Sequence, residues 1–582
     1  MNQFKKKTAE ALERALTAAF PDAPLPMAAE IAGLLEYPPD DSMGDVAFPC
    51  FRLSRTLRAA PPAIAAKLAE ELNGHLPEGA SEITVAGGYL NFRLSDAYLG
   101  GKILPEILEK GADYGASDEG SGKTVVLDYS SPNVAKPFHI GHLGTTVIGH
   151  SLKLLHEYAG WSCVGINYLG DWGTQFGKLI VAYRLWGDRE TIEKGGVDEL
   201  VKLYVRINNE ITGDGEKGIP GKPELADAAR AEFRKLEEGD EENLALWRWF
   251  KDVSLEEYQK TYRRLGITFD SYAGESFYTD KMPEQVQLLR DKGLLKIDNG
   301  ASIVDLSEYG MPPCLILKTD GSTLYPTRDI AAAVYRHRTY HFDKAIYVTS
   351  AQQILHFQQW FKVAELMGYD FHDKLFHVPY GTCSINGAKL ATRTGNVILL
   401  KDLFDLSIEK VRAIMEEKNP DLENKEETAE AVGVGAMIFY YLSNNRMRDI
   451  NFVMEDALSF DGNTGPYAQY TYARTCSILA KGEDGGDASA VTELTAEEKT
   501  LLKTLSLFPE KVRGAIADME PSVITRYALD VCNTFNRFYQ ACPINSAPDA
   551  SVRTFRRRLT KAAGTVLAKA LELICLKHPE KI

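Results

Sequence analysis

Between residues 124 and 381, short β-branched runs alternate with helical patterns. In chain order the segments are TVVLDYS (124–130), GHLGTTVIGHSLKLLHEYAG (141–160), CVGINYL (163–169), KAIYVTS (344–350), HFQQWFKVAELMGY (356–369) and KLFHVPYG (374–381). Strands that alternate with helices pair in parallel, because each helical connection carries the chain back to the start of the next strand. This region therefore predicts an α/β domain built on a doubly wound parallel sheet.

The regions on either side predict two further domains. Residues 1–115 combine helical patterns with a short β-prone stretch and end in a polar, glycine-rich passage, which indicates a small α/β domain. We expect residues 116–430 to form the sheet-containing domain, with an acidic helical insert near 185–275. From 431 to 582 the strand patterns largely vanish, so we expect an all-helical domain there.

The charge of the chain is acidic overall but unevenly distributed. The 582 residues carry 66 Lys and Arg against 81 Asp and Glu, a formal charge of −15. This balance disfavours a surface wholly covered by nucleic acid but allows a local basic face. Residues 551–582 hold eight Lys and Arg against two Glu, a local charge of +6. This tail is either a basic helix paired with acidic neighbours or a face for a polyanion.

The cysteines and the apolar runs indicate a compartment. The eight cysteines form no CxxC or Cys/His cluster, so neither a zinc site nor a disulfide framework is signalled. No apolar run approaches the roughly 18 residues that a membrane span requires. We therefore expect a cytoplasmic protein with reduced cysteines, no membrane contact and no permanently bound metal.

The segment SSPNVAKPFHIGHLG (130–144) lies directly between a predicted strand and a predicted helix. Ligands of open α/β sheets bind at the carboxyl ends of the strands, where helix N-termini favour anions. Gly141 allows a flat base to approach the backbone, and His139 and His142 present two imidazoles at the helix start. Lys136 adds a cation just upstream. The segment therefore predicts a site for a nucleotide triphosphate.

SPNVAKPFHIGHLG resembles the signature of class I aminoacyl-tRNA synthetases, in the form carried by the arginyl-tRNA synthetases. Further segments match in chain order: GDVAFPCFRLSR (44–55), GGYLNFRL (87–94), NYLGDWGTQFGKL (167–179), LYPTRDIA (324–331) and GNTGPYAQYTYAR (462–474). The resemblance implies a Rossmann-like class I catalytic domain between an N-terminal α/β domain that contacts tRNA and a C-terminal helical anticodon-binding domain.

The resemblance also implies a two-step arginine–tRNA ligase that works as a monomer. The carboxylate of arginine attacks the α-phosphorus of ATP, and the terminal adenosine of tRNA(Arg) then accepts the arginyl group. ATP enters with Mg²⁺ as a substrate complex. Catalysis then rests on positioning and on charge stabilisation at the phosphates. Lys136, His139 and His142 are implied in catalysis and ATP binding, and Gly141 in ATP binding.

A second ATP-binding element of this family is a mobile lysine loop, which GAKLATRTGN (387–396) resembles. Lys389 and Arg393 match the family pattern, which implies catalytic roles for both and ATP binding by Lys389. Thr394 stands where the family has a lysine, so the loop carries one cation fewer. Lys136 is close enough in sequence to His139 to supply a replacement ammonium.

Recognition of arginine requires carboxylates that meet a planar cation. By resemblance, Asp128 and Asp329 are the matching acids and Tyr325 is the tyrosine of the arginine site. Asn133 would bind the amino-acid end of the substrate, and Gln353 is a further arginine-binding candidate. Citrulline carries no charge and lysine only a point charge, so we expect the site to reject both.

Binding of tRNA requires basic phosphate contacts and surfaces on which unpaired bases stack. In the C-terminal domain, Tyr539 is the predicted anticodon contact, while Phe535 and Phe538 have the spacing of core residues. Arg556 and Arg557 of the basic tail are the predicted tRNA-binding cations. A phosphate face of this kind predicts tRNA affinity that falls steeply with salt.

Two other functions remain open at this point. A ligase of the same superfamily could join an activated amino acid to a small molecule without tRNA, but it would need no long basic helical domain. A non-catalytic paralogue could bind tRNA, and the altered lysine loop is what such a protein would show. The presence of His139, His142, Lys136 and Lys389 argues against the second alternative.

Overall fold

The computed structural model describes residues 1–136, 138–213, 220–319, 321–385, 387–389, 399–483 and 485–582. At Asp41, Ala388 and Lys389 it describes the backbone alone. Within these ranges, no helix is both long and apolar enough to cross a bilayer.

The N-terminal region packs helices against a three-stranded antiparallel sheet. Its helices are α1 (Asn2–Ala19), α2 (Ala28–Leu34), α3 (Ser54–Leu57), α4 (Pro61–Leu72), α5 (Asp96–Tyr98) and α6 (Leu104–Lys110). Its strands are β1 (Val46–Pro49), β2 (Ala80–Ala86) and β3 (Tyr89–Leu94), in the order β1-β3-β2. Gly87 takes a positive φ at the tight turn between β2 and β3, where glycine is favoured.

The central sheet is parallel, as the alternating pattern predicts. Its strands are β4 (Thr124–Asp128), β5 (Ser162–Ile166), β9 (Lys344–Ser350) and β10 (Leu375–Tyr380), in the order β10-β9-β4-β5. The helices that follow β4 and β9 are α7 (Ile140–Tyr158) and α15 (Ile354–Leu366). The strand order reverses between β4 and β9, and ligands of doubly wound sheets bind at such a switch point.

A long excursion separates β5 from β9. It begins with the helices α8 (Thr174–Trp186), α9 (Arg189–Gly195), α10 (Val197–Thr212), α11 (Pro223–Glu237) and α12 (Glu241–Leu265). It continues with α13 (Met282–Asp291), a small antiparallel sheet of β6 (Leu295–Asp298), β7 (Ala301–Val304) and β8 (Cys314–Leu317), and α14 (Tyr325–Tyr340). The helices α9 to α12 occupy the acidic segment for which the sequence predicts a helical insert.

Among the described residues from 399 to 582, the chain is helical apart from one short strand, β13 (Ile450–Phe452). After β10 come β11 (Cys383–Ile385), β12 (Ala388–Lys389), α16 (Leu400–Lys418), α17 (Lys425–Leu442), β13 (Ile450–Phe452), α18 (Met454–Ala457), α19 (Gly465–Ala480), α20 (Ala496–Ser506), α21 (Phe508–Ala517), α22 (Ser522–Ala541) and α23 (Ala550–Leu573). Strand β13 pairs in parallel with β11. The boundary placed after residue 430 therefore falls inside α17, and the chain pairs with the preceding domain again beyond it.

Candidate active site

The two signature histidines lie at the start of α7, directly beyond the carboxyl end of β4. His139 is the N-cap residue, and its Nδ1 accepts a hydrogen bond from the backbone N–H of Gly141 at 3.1 Å. The Nδ1 of His142 accepts one from the backbone N–H of His139, also at 3.1 Å. Because both Nδ1 atoms are acceptors, each neutral ring carries its proton on Nε2.

Burial keeps both imidazoles uncharged at neutral pH. It lowers the pKa of His139 to about 4, and the ammonium of Lys136 adds to the effect. It also lowers the pKa of His142 well below the ordinary histidine value. The ring centroids are 3.9 Å apart, and the ring of Phe138 stacks on that of His142. The helix start thus presents two adjacent neutral N–H donors.

The loop between β4 and α7 is held in a strained conformation by the helical excursion. Ser130, Ser131 and Ala135 have φ of 71°, 48° and 56°, values that residues other than glycine rarely adopt. The hydroxyl of Tyr258 on α12 donates to the carbonyl oxygens of Asn133 and Lys136 at 2.7 and 2.8 Å. These bonds fix the loop, so the insert helps to position the signature segment.

Close packing joins α7 to the C-terminal region. A Cβ atom at Gly144 would lie 2.2 Å from the hydroxyl oxygen of Tyr441 on α17. Any larger residue at this position would therefore force the two helices apart. The contact packs α17 directly against the helix that carries the two histidines.

The predicted arginine-site residues lie at the ends of β4, α14 and β9. Tyr325 is the first residue of α14, and its side chain is 65% exposed. Asp329, one turn later, accepts a hydrogen bond from His356 Nε2 on α15 at 2.6 Å. Asn133 and Gln353 have exposed side chains. These residues follow the carboxyl ends of β4 and β9 or begin α14, and their binding roles stay predictions.

Asp128 is engaged by a residue of the chain itself. Its buried carboxylate forms an ion pair of 2.8 Å with Nη1 of Arg336 and accepts a hydrogen bond from the Ser131 hydroxyl at 2.9 Å. The guanidinium of Arg336 lies over the rings of Tyr168 and Tyr347. The charge of Asp128 is matched by an internal guanidinium in this structure, and its direct contact with the substrate stays a prediction.

Glu275 is an acid of this pocket that the sequence did not indicate. It pairs with Nη1 of Arg328 at 3.0 Å, and burial raises its pKa to about 7, with Asp329 and Asp171 adding to the rise. The same two carboxylates, Glu275 and Asp329, also raise the pKa of the buried Tyr168. Glu275 therefore lies in the same electrostatic environment as Asp329.

The buried carboxylate of Asp171 fixes the segment that carries Glu275. It accepts hydrogen bonds from the backbone N–H and the hydroxyl of Ser276, each at 2.8 Å, and pairs with Lys251 at 2.6 Å. Asp171 belongs to the predicted motif segment 167–179, which was the one available signal for this part of the site.

The lysine loop is described only at its first residues. The backbone of Lys389 pairs with Ser384 in the β11–β12 ladder. The side chain of Lys389 and the whole of Arg393 lie outside the described residues, so both assignments stay predictions.

A second candidate site lies in the C-terminal domain. Tyr539, 43% exposed, borders a groove of about 1070 Å³ between α19, the end of α22 and the last residues of the chain. The guanidinium of Arg474 lies 5.0 Å from the ring centroid of Tyr470 and 5.4 Å from that of Tyr539. Phe535 and Phe538 are buried, in agreement with the core role that their spacing predicts.

Arg556 and Arg557 do not form the basic face that the tail charge suggested. Arg556 pairs with the buried Glu498 at 2.7 Å and donates to the carbonyl oxygen of Pro543. Arg557 is buried and donates to the carbonyl oxygen of Leu479 and to the side chain of Asn545. Both guanidinium groups pack α23 against its neighbours, and their roles in tRNA binding stay predictions.

Comparison with known proteins accounts for the whole chain. Residues 103–454 match the family described as tRNA synthetases class I (R), catalytic domain. Residues 2–94 match the arginyl tRNA synthetase N terminal domain, and residues 468–582 match the DALR anticodon binding domain. These three matches cover the N-terminal sheet, the central sheet with its histidines, and the C-terminal helices.

Similar proteins span the same length. The arginine–tRNA ligase of Clostridium perfringens (strain 13 / Type A) is 48% identical over 555 residues, which are 95% of this chain and 96% of the relative. That of Alkaliphilus metalliredigens (strain QYMF) is 46% identical over 557 residues, with the same shares covered. The structure of Thermus thermophilus arginyl-tRNA synthetase superposes with a TM-score of 0.82 at 26% identity, over 99% of each chain.

The parallel sheet, the histidine pair at the start of α7 and the family matches define a class I aminoacyl-tRNA synthetase. Within that class, the chain belongs to the arginyl-tRNA synthetases.

Proposed function

We propose that this chain activates arginine with ATP and transfers it to tRNA(Arg), with the residue roles given below. The observation that supports this most strongly is the pair of neutral histidine donors at the start of α7, which follows the carboxyl end of β4. The acids Asp329 and Glu275, which lie close enough to influence each other's charge, would suit a cationic side chain. The alternatives without tRNA or without catalysis gain no support, because relatives that match 95% of the chain are named arginine–tRNA ligases.

In the first step the two histidines stabilise the charge that develops on the triphosphate. Their Nε2–H groups are donors that stay neutral, so they need no change of protonation during the reaction. Lys136 and the lysine-loop residues Lys389 and Arg393 would supply the cations that bind the phosphates. Mg²⁺ would enter with ATP as part of the substrate. The described residues contain no group of three His, Cys, Asp or Glu that could hold a metal.

Arginine specificity would rest on Asp329, with Glu275 adding negative charge beside it when ionised and Tyr325 exposed at the start of the same helix. Two carboxylates suit a guanidinium, which offers five N–H donors in a fixed planar arrangement. Asp128 is a further candidate acid for the substrate, and without substrate it pairs with Arg336. Asn133 and Gln353 would bind the amino-acid end of the substrate. An uncharged side chain such as that of citrulline would leave the acids unmatched, so we expect it to be rejected.

We expect arginine use to depend on pH through Glu275. Its raised pKa of about 7 means that the carboxyl group is protonated below that pH and ionised above it. A substrate guanidinium requires the ionised form, so kcat/KM for arginine at saturating ATP should rise about tenfold between pH 6 and pH 8. In Glu275→Gln the value should be lower and nearly independent of pH over this range. A variant that keeps the wild-type slope would exclude Glu275 as its origin.

The raised pKa of Glu275 makes folding stability depend on pH in the direction opposite to arginine use. Because the folded pKa lies above the ordinary glutamate value, the contribution of Glu275 to stability is fully present at low pH and is lost as pH rises through about 7. Unfolding measurements on wild type and Glu275→Gln therefore separate the effect on stability from the effect on arginine binding.

The groove at Tyr539 would bind an unpaired base of the anticodon loop. The exposed ring and the adjacent guanidinium of Arg474 form a surface for stacking. We expect Tyr539→Ala to raise the KM for tRNA about tenfold, with the KM for ATP unchanged. Tyr309, which is also 43% exposed but lies in the catalytic domain, is the matched control. Equal effects of Tyr539→Ala and Tyr309→Ala on tRNA would contradict the assignment.

We further propose that the enzyme acts in the cytoplasm as a monomer. All eight cysteines are free thiols, which suits a reducing compartment.

The proposed function is tested by arginine-dependent exchange between ATP and pyrophosphate. We expect exchange with arginine in the presence of tRNA(Arg) and little with lysine or citrulline. Omission of tRNA tests whether activation depends on it. Exchange that is equally fast with lysine, or that never occurs with arginine, would contradict the proposed function.

A further inference from the structure

The acids around the arginine pocket differ in the kind of partner they have. Asp128 pairs with Arg336, Glu275 with Arg328 and Asp171 with Lys251, at 2.8, 3.0 and 2.6 Å. Each of these partners is an arginine or lysine and carries a permanent charge at neutral pH. These three acids are therefore already matched by charges of the protein itself.

Asp329 has a different partner. Within the part of the chain that the structure describes, its one ion-pair or hydrogen-bond contact is with Nε2 of His356, at 2.6 Å. The two side chains are 19% and 26% exposed, so the contact is shielded but can be reached from the pocket. An imidazole can donate a hydrogen bond without carrying a charge, which an arginine or lysine cannot do.

This difference matters for a carboxylate that must bind a cation. A permanent cation at Asp329 would orient its carboxylate but would also compensate the negative charge that attracts the substrate. A hydrogen bond from a single ring N–H holds one oxygen, fixes the plane of the carboxylate and leaves its other oxygen for the substrate. His356 lies on the first turn of α15, three residues after Gln353, so the same helix start carries two residues of the pocket.

We propose that His356 is the positioning residue for arginine specificity: it holds Asp329 Oδ2 so that the carboxylate meets the substrate guanidinium in a fixed plane. The inference rests on the proposed function, since it takes Asp329 as the acid that binds arginine. His356 acts through Asp329 and does not itself touch the substrate.

The test uses the full-length enzyme with tRNA(Arg) and compares His356→Leu, His356→Gln and His356→Asn. We expect His356→Leu to raise the KM for arginine about 10- to 100-fold, the loss expected for one hydrogen bond to a charged group. The KM for ATP should change less than about twofold, because the contact lies on the arginine side. Glutamine places its amide nitrogen near the position of Nε2, so His356→Gln should restore the KM for arginine to within about threefold.

The shorter asparagine side chain should not reach Asp329, so His356→Asn should resemble His356→Leu. The comparison of His356→Gln with His356→Asn shows whether His356 positions Asp329 even if His356→Leu does not fold. His372→Leu is the matched control, because His372 is exposed and lies beyond the far end of α15. We expect it to leave both KM values unchanged.

The possible failures are distinguishable. If the wild-type enzyme does not activate arginine, the proposed function itself is wrong. If the wild type activates arginine but the glutamine and asparagine variants share one KM for arginine, His356 does not position Asp329. Parallel rises in the KM for arginine and for ATP would likewise overturn the inference, because they would indicate a general structural role.

Discussion

Replacement of His142 by alanine is expected to lower the rate of arginyl-adenylate formation about 10²- to 10³-fold, the usual cost of one preorganised donor in the transition state. The neutral Nε2–H of His142 is one of two donors at the start of α7, and the backbone holds its tautomer through Nδ1. No water molecule would reproduce this fixed orientation, because solvent must reorganise as charge develops on the phosphates. The KM for arginine should change little.

His150 provides the control for this prediction. It lies two turns further along α7, is also buried, and its Nδ1 lies 3.2 Å from the hydroxyl oxygen of Tyr129. His150→Ala should reduce the free energy of unfolding but keep the exchange rate between ATP and pyrophosphate within about threefold. An exchange rate for His142→Ala that equals that of His150→Ala would exclude His142 from the catalytic machinery.

Replacement of Asp329 by asparagine is expected to lower kcat/KM for arginine about 10³-fold. The change keeps the size of the side chain but removes the charge that matches the guanidinium, so a buried cation would have to bind without its counter-ion. The pocket that remains suits a neutral side chain better, so selectivity for arginine over citrulline should fall sharply.

Asp343→Asn is the control for Asp329→Asn. The carboxylate of Asp343 accepts a hydrogen bond from the backbone N–H of Thr124 at 2.9 Å, at the opposite end of the sheet from the pocket. Asp343→Asn should leave kcat/KM for arginine and for citrulline unchanged. The pocket assignment would be contradicted if the wild-type enzyme used citrulline as efficiently as arginine. It would also be contradicted if Asp329→Asn still preferred arginine over citrulline as strongly as the wild type does.

Local patterns predict most of the fold because each strand of the central sheet has its own signal. The β-branched runs at β4, β5, β9 and β10 are each followed or preceded by a helical pattern, and the parallel sheet follows from that order. The boundary after residue 430 lies inside α17 and stays a prediction. Strand β13 is only three residues long and pairs with β11, and such a short strand has no periodicity to detect.

The sequence predicts those site residues that belong to one local motif. It does not predict those that come together only through long-range contacts. His139 and His142 occur together in one segment, and the fold places them at one helix start. Glu275 begins a short 3₁₀ helix (Glu275–Lys281) outside the motif segments, and only folding brings it near Asp329. The partner of Asp128 lies on α14, so the sequence could not show that this charge is already matched.

In the basic tail, the count of charged residues likewise does not reveal the contacts that folding creates. The excess of lysine and arginine in 551–582 was correctly identified, but a charge count does not say which side chains are buried. Arg557 uses its donors on backbone carbonyl oxygens within the helical domain, and Arg556 pairs with Glu498. The aromatic groove at Tyr539 is therefore a better candidate for tRNA contact than these two arginines.

The most direct test of the account is the charging of an unfractionated tRNA pool with each of the twenty standard amino acids in turn. The account predicts that arginine alone is attached, that charging stops at the fraction of the pool that is tRNA(Arg), and that ATP is consumed to AMP and pyrophosphate. Charging with a different amino acid, or no charging by an enzyme that is folded and binds tRNA, would contradict it.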